Sequence, residues 1–199
     1  EFHLVSKSET IMPQFPAGVG QRFERVLKER GVIVHRGQEA EQTSAGTLNL
    51  ADDETLKLDE ILWVTAAGAA SWLKESGLAV DEHGFVSVND TLESTSHPGI
   101  FAVGDIADVV NHPRPKAGVF AVRQGKPLAK NLRRVLLGKA PISFAPQKTI
   151  LALISTGDKY AVATKGAITF AGDWVWKWKD WIDVRFMTKF SDLPEMDED

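Results

Sequence analysis

Two apolar runs, FHLV at residues 2–5 and VIVH at residues 32–35, flank a segment with helical periodicity. Val19, Phe23, Val26 and Leu27 fall near helical spacing over residues 17–30, and Gly31 closes that helix. Strand, helix and strand at this spacing form a crossover, which requires the two strands to lie parallel in one sheet. This unit restricts the chain to an α/β architecture more strongly than any other feature. A small hairpin is predicted at residues 47–58 around Asp52-Asp53, a buried strand at 60–64 (EILWV) and a short helix at 71–76 stopped by Gly77. Further strands are predicted at residues 84–88 and 100–103. The longest helix is predicted at 119–137, with Val122, Leu128, Ala129, Leu132, Val135 and Leu136 on its apolar face and Gly138 as its stop. Pro127 inside it is expected to kink or restart the helix. Beyond Pro146 the pattern changes to short strands at 150–155, 160–164 and 167–170, broken by Gly157-Asp158 and Gly166, and then to a helix at 174–190.

Composition narrows the function classes. With 43% hydrophobic and 25% charged residues, the 199-residue chain can bury one or two modest cores. A net charge of -4 argues against a nucleic-acid partner. The absence of cysteine excludes a disulfide framework, a thiolate metal site and a redox dithiol within these residues. No apolar run approaches the ~20 residues of a membrane span, and no signal-peptide pattern is visible, so a cytoplasmic location is expected. The chain opens directly in a strand, without Met, and reads as a fragment that begins mid-domain; its end, SDLPEMDED, is an acidic tail.

The apolar run IFAV leads into Gly104-Asp105, followed by a Pro-rich loop and a helix start at Lys116, Ala117, Gly118, Val119 and Phe120. In open α/β sheets ligands bind beyond the carboxyl ends of strands. Glycine there permits close approach of a ligand, and a carboxylate accepts hydrogen bonds from sugar hydroxyls. A helix N-terminus stabilises negative charge. A hydroxyl acceptor beside such a terminus suits a flavin. The competing reading makes Asp105 a turn cap and Gly118 an ordinary helix start.

Other candidates read more plainly. His3, His35, His83, His97 and His112 show no metal-ligand spacing; His112, in the loop near the proposed flavin edge, is a loop residue or a cofactor contact. Residues 155–158 read as a tight hairpin rather than a phosphate turn. Arg123, Lys126, Lys130, Arg133, Arg134 and Lys139 form a solvated helix face. At 100° per residue Trp174, Trp178, Trp181 and Val184-Arg185 share one side of the last helix, which is expected to pack on the domain rather than enter a membrane.

HPGIFAVGDIADV, PRPKAGVFAVRQGKPLAKNLRRVLLGK, ILALISTGD and WVWKWKDWIDVRFMTKF together resemble the pyridine nucleotide-disulfide oxidoreductase superfamily. The similarity lies with the type II NADH dehydrogenase branch, and closest with its flavoprotein module fused to, or encoded beside, selenophosphate synthetase (selenide, water dikinase). The resemblance implies the C-terminal part of a two-dinucleotide-domain, Rossmann-like FAD/NAD(P)-binding flavoprotein with a small C-terminal β plus helix unit. Residues 1–90 would be the second half of the NAD(P)-binding domain, 91–145 the C-terminal part of the FAD-binding domain, and 146–199 the small unit with its tail. Gly104 and Asp105 would meet the flavin ribityl chain, and Lys116, Ala117, Gly118, Val119 and Phe120 the pyrimidine end. Thr65 and Gly68 would belong to the turn closing the nicotinamide domain, where Ala66 replaces the glycine expected of the family. Both glycine-rich phosphate loops would lie outside these residues, so the isolated chain is expected to hold no stoichiometric FAD. The implied activity passes electrons from NAD(P)H through flavin to a quinone or another acceptor, with no catalytic side chain and no metal in this part. Selenophosphate synthetase is the implied partner. The alternative is a cofactor-free interaction module associated with selenophosphate synthesis.

Overall fold

The computed structural model describes residues 1–44, 46–65 and 67–191. Ala66 and the acidic residues 192–199 therefore lie outside the described residues. The described residues divide into two compact units, one of residues 1–62 with those from Thr149 onward, the other of residues 63–148. Packing thus groups residues 63–90 with 91–148.

In the first unit β1 (Phe2–Ser6) and β2 (Val32–Arg36) pair in parallel, with Phe2 opposite Val32 and Ser6 opposite Arg36. The connection runs through α1 (Ala17–Glu29). This is the crossover expected from the two apolar runs. Val19 of α1 is fully buried. A Cβ placed on Gly20 would overlap the carbonyl oxygen of Ile11, so the loop before α1 closes on the helix only because residue 20 has no side chain. Gly31, with φ of 71°, ends α1 in the left-handed conformation. A meander follows: β3 (Ala40–Ser44), β4 (Thr47–Leu50) and β5 (Thr55–Lys57), antiparallel throughout. Leu48, Leu50 and Leu56 form its buried centre, against Val5 and Ile61.

The same unit contains the C-terminal antiparallel sheet of β8 (Ala152–Gly157), β9 (Tyr160–Lys165) and β10 (Ile168–Gly172), with β9 central. Positive φ at Gly157, Asp158 and Lys159 makes the tight hairpin between β8 and β9. Helix α4 (Asp173–Ser191) follows β10 without a loop. Val175 packs, fully buried, on Ala161 and Ala163, with Leu153 and Trp176 beside them.

In the second unit the parallel pair β6 (Val86–Val88) and β7 (Ala107–Val109) lies at the centre. Val86, Val88, Leu92, Ala107, Val109 and Leu73 form the buried cluster. Leu73 belongs to the short α2 (Ser71–Glu75). The long α3 (Gly118–Leu136) runs on through Pro127 as one helix. Asn131 on α3 is buried and ties three pieces together. Its amide donates to the carbonyls of Thr91 and Ile142 at 2.9 Å each and accepts the Ile142 N–H at 2.8 Å.

Three expectations are corrected. Residues 60–64 form no strand; Leu62 and Val64 are 85% and 78% exposed. Apolarity marks a segment for burial, but a strand also needs a ladder partner, and none of the four sheets among the described residues extends to it. Residues 100–103 are extended but make only an isolated bridge, between Phe101 and Glu93. The strand that pairs with β6 comes after the Gly-Asp turn, because a 3₁₀ turn at Gly104–Ile106 redirects the chain first. The face of α4 chosen from aromatic area is the exposed one: Trp174, Trp178 and Trp181 are 55%, 37% and 57% exposed, while the packed side carries Val175 and Trp176. The direct join of β10 to α4 sets the helix phase, so strand geometry overrides aromatic area.

Candidate functional site

The Gly-Asp turn and the start of α3 come together in one cleft of the second unit, lined by Gly104, Asp105, His112, Lys116, Ala117 and Phe120 among others. The left-handed φ of Gly104, 73°, makes the turn that places Asp105 at the cleft mouth, where it is exposed. Gln124, one turn further along α3 than Phe120, reaches back from a buried position. Its Oε1 accepts the Gly104 N–H at 2.6 Å. That bond fixes the turn against the helix and leaves the Asp105 carboxylate outside it.

The α3 N-terminus has Ala117 at its cap, without a side-chain hydrogen bond, and no acidic residue in its first turn. Its orphan N–H groups and positive dipole end are therefore not satisfied by a capping side chain. Gly118 and Val119 begin the helix but do not line the cleft. Lys116 is anchored: Nζ donates to the Ala107 carbonyl at 2.7 Å and sits 3.9 Å from the centre of the Phe85 ring. Its charge is thus held on β7, in the lining of the same cleft. His112 also faces the cleft, with Nε2 3.8 Å from an Asp90 carboxylate oxygen that accepts from the Asn111 amide.

Thr65 and Gly68 lie apart from this cleft, in the exposed irregular stretch before α2. No group of three or more His, Asp or Glu able to hold a metal ion occurs among the described residues. None of the described helices is long and apolar enough to cross a membrane.

Sequence reasoning missed Gln124. The available signal was its phase, since Phe120, Gln124 and Asn131 fall on the buried side of α3. A polar residue on such a face needs an internal partner. The arrangement places one exposed acceptor, Asp105, beside donors and positive potential from the helix start. It suits a ligand with sugar hydroxyls at one point and developing negative charge at another.

The family model described as pyridine nucleotide-disulphide oxidoreductase matches residues 1–125, more than half of the chain. The type II NADH:quinone oxidoreductase of Haemophilus influenzae is 28% identical over 148 residues, covering 71% of this chain and 33% of that protein. The type II NADH:quinone oxidoreductase Ndh of Mycobacterium tuberculosis is 26% identical over 185 residues, covering 87% of this chain and 39% of its own length. The chain thus spans between a third and two fifths of these curated relatives. Among solved structures, the sulfide:quinone oxidoreductase of Aquifex aeolicus superposes with a TM-score of 0.70 at 16% identity, covering 94% of this chain and 49% of that one. That likeness is one of fold. The matched residues contain both the β1–α1–β2 crossover and the Gly104-Asp105 turn with the start of α3, and the chain belongs to the pyridine nucleotide-disulphide oxidoreductase family.

Proposed function

We propose that this chain is the C-terminal portion of a flavin-dependent NAD(P)H oxidoreductase that delivers electrons to a quinone or another acceptor. The observation that carries the reading is the pairing, in one cleft, of the exposed Asp105 with the uncapped start of α3. Asp105 would accept hydrogen bonds from the ribityl hydroxyls of FAD. Lys116, Ala117 and Phe120 would face the pyrimidine end, while Gly118 and Val119, expected there as well, open the helix outside the cleft lining. Bound flavin would supply the redox chemistry, taking up hydride and passing electrons on. The chain's own contribution is orientation and electrostatics: Gln124 holds the Gly104 turn, and the Ala107 carbonyl holds the Lys116 ammonium in the cleft lining. No acid, base or nucleophile is required of these residues. The quinone acceptor is supported by the names of the two curated relatives.

The test uses the full-length protein that carries these residues. It should be yellow as purified, oxidise a nicotinamide nucleotide and reduce a soluble quinone analogue. A colourless, correctly folded protein without such activity would instead favour a cofactor-free interaction module.

A further inference from the structure

We infer that the cleft between the second half of α1 and the β8–β9 hairpin is an anion site that takes a phosphate dianion, free or on a small ester, through Arg22, Arg25 and Tyr160. The inference goes beyond the proposed electron transfer and does not rest on it.

Helical spacing gathers the arginines. Arg22, Arg25, Val26 and Glu29 recur at the intervals that put side chains on one face of α1. Because α1 connects two parallel strands, it runs back along them, and its carboxyl end lies by Val32, at the amino edge of β2. That edge is opposite the one at which open α/β sheets take dinucleotides. The facing wall is the β8–β9 hairpin, with Thr156, Gly157, Asp158 and Tyr160. Between the two walls is an open cleft of about 340 Å³, a size that admits a small organic ligand as well as an ion. The hairpin lies beyond residues 1–125, the part of the chain that the family model matches.

Not every charge at the cleft is available. Arg30 is engaged: its Nη2 donates to Asp158 at 2.7 Å, and its guanidinium lies over Gly157, where a Cβ would come within 3.0 Å of it. Lys159 is turned to Trp176, with Nζ 5.8 Å from the ring centre. Arg22 donates one N–H, from Nη1, to Tyr160 Oη at 3.1 Å. The phenol oxygen, having accepted that bond, keeps its own proton to donate, and the guanidinium keeps its remaining N–H groups. Arg25 is exposed and makes no hydrogen bond or ion pair among the described residues. Glu29, on the same rim, is likewise unpaired among them, so two available guanidinium groups stand against one carboxylate. One unpaired arginine on a helix is ordinary; here two guanidinium forks and a phenol proton line one cleft. A carboxylate offers two oxygens and one charge to these donors, whereas a phosphate offers three oxygens and a second charge, which outweighs Glu29.

The experiment measures equilibrium binding of phenyl phosphate, inorganic phosphate and benzoate to the full-length protein, at low ionic strength and about pH 8, where phosphate carries both charges. The expected result is saturable binding of a phosphate probe, at least about tenfold tighter than that of benzoate. Arg25→Ala should weaken phosphate binding by about tenfold, and Arg25→Lys should recover part of the loss. Glu29→Gln, which removes the opposing carboxylate, should tighten it. Arg25 is exposed and has no partner among the described residues, so its variant should keep the unfolding midpoint of the ligand-free protein and report on the ligand alone. Phenyl phosphate bound more tightly than inorganic phosphate identifies an ester as the ligand; inorganic phosphate bound equally or more tightly identifies the free ion. No saturable phosphate binding, benzoate bound as tightly, or phosphate binding that Arg25→Ala leaves unchanged overturns the inference. Nicotinamide oxidation is read separately. Phosphate binding that depends on Arg25, in a protein that oxidises no nicotinamide nucleotide, would sink the proposed function and leave this site standing. Nicotinamide oxidation without such binding would do the reverse.

Discussion

Gln124 on α3 accepts the backbone N–H of Gly104 at 2.6 Å, across twenty residues of sequence. A buried side chain thus holds the turn that presents Asp105. Replacing it with alanine leaves a part-buried N–H without its acceptor, at a cost of about 1–3 kcal/mol. Gln124→Ala should lower the urea midpoint with little change in slope, whereas Gln124→Glu, which keeps the acceptor oxygens, should recover part of the loss. An unaltered midpoint in the alanine variant would show that the bond does not hold the turn.

Asp105 should matter to flavin and not to folding, because it is exposed at the cleft mouth. A hydrogen bond from a hydroxyl to a charged acceptor contributes about 1.5–3 kcal/mol, or about ten- to a hundredfold in affinity. Asp105→Ala in the full-length protein should therefore lose flavin on extended dialysis that leaves the native protein yellow, with an unchanged unfolding midpoint when both proteins are compared free of flavin. Equal flavin content after matched dialysis would remove Asp105 from the cofactor site.

How far these elements were legible in sequence follows from what each one depends on. The crossover was legible because β1, α1 and β2 satisfy their own periodicities, and the same holds for β8, β9 and β10 with their glycine-marked turns. The Gly104-Asp105 turn was legible as a motif, but its fastening was not, since the Gln124 bond depends on where α3 lies against the turn. Residues 60–64 depart from the expected strand because an apolar run does not by itself make one; pairing depends on a neighbour elsewhere in the chain. The packed face of α4 differs from the expected one for a related reason. Its phase is inherited from β10, and helical geometry alone does not show which side of a helix meets the sheet.

Two glycines of α1 should respond in opposite directions to the same substitution. A Cβ on Gly20 meets the backbone oxygen of Ile11, which cannot swing aside as a side-chain tip would. Gly20→Ala should therefore cost about 1–3 kcal/mol, as overpacking does. Gly18 has open space around its Cβ position and a helical backbone, so Gly18→Ala should stabilise by up to about 1 kcal/mol. Thermal unfolding of the two variants side by side is the check, and a stable Gly20→Ala protein would mean that the loop before α1 does not close on the helix.

The two faces of α4 should separate cleanly in mutagenesis. Val175 is fully buried against Ala161 and Ala163, and trimming it removes two buried carbons at about 0.8 kcal/mol each and leaves a cavity. Val175→Ala should thus destabilise by about 2 kcal/mol. Trp181 is a far larger side chain, but it is 57% exposed, and every residue from Asp183 to Phe190 is exposed as well. Its contact with Arg185, whose guanidinium lies 5.4 Å from the indole centre, is a surface cation–π pair of about 0.5–1 kcal/mol. Trp181→Ala should therefore cost no more than about 1 kcal/mol, less than the loss of the smaller valine. Fluorescence gives an independent reading, because Trp174, Trp178 and Trp181 are on the solvent side of α4 while Trp176 packs beside Val175. Acrylamide should quench most of the tryptophan emission and leave a blue-shifted, protected remainder. A uniformly blue, unquenchable spectrum, or a Trp181→Ala protein less stable than Val175→Ala, would place the aromatic face against protein after all.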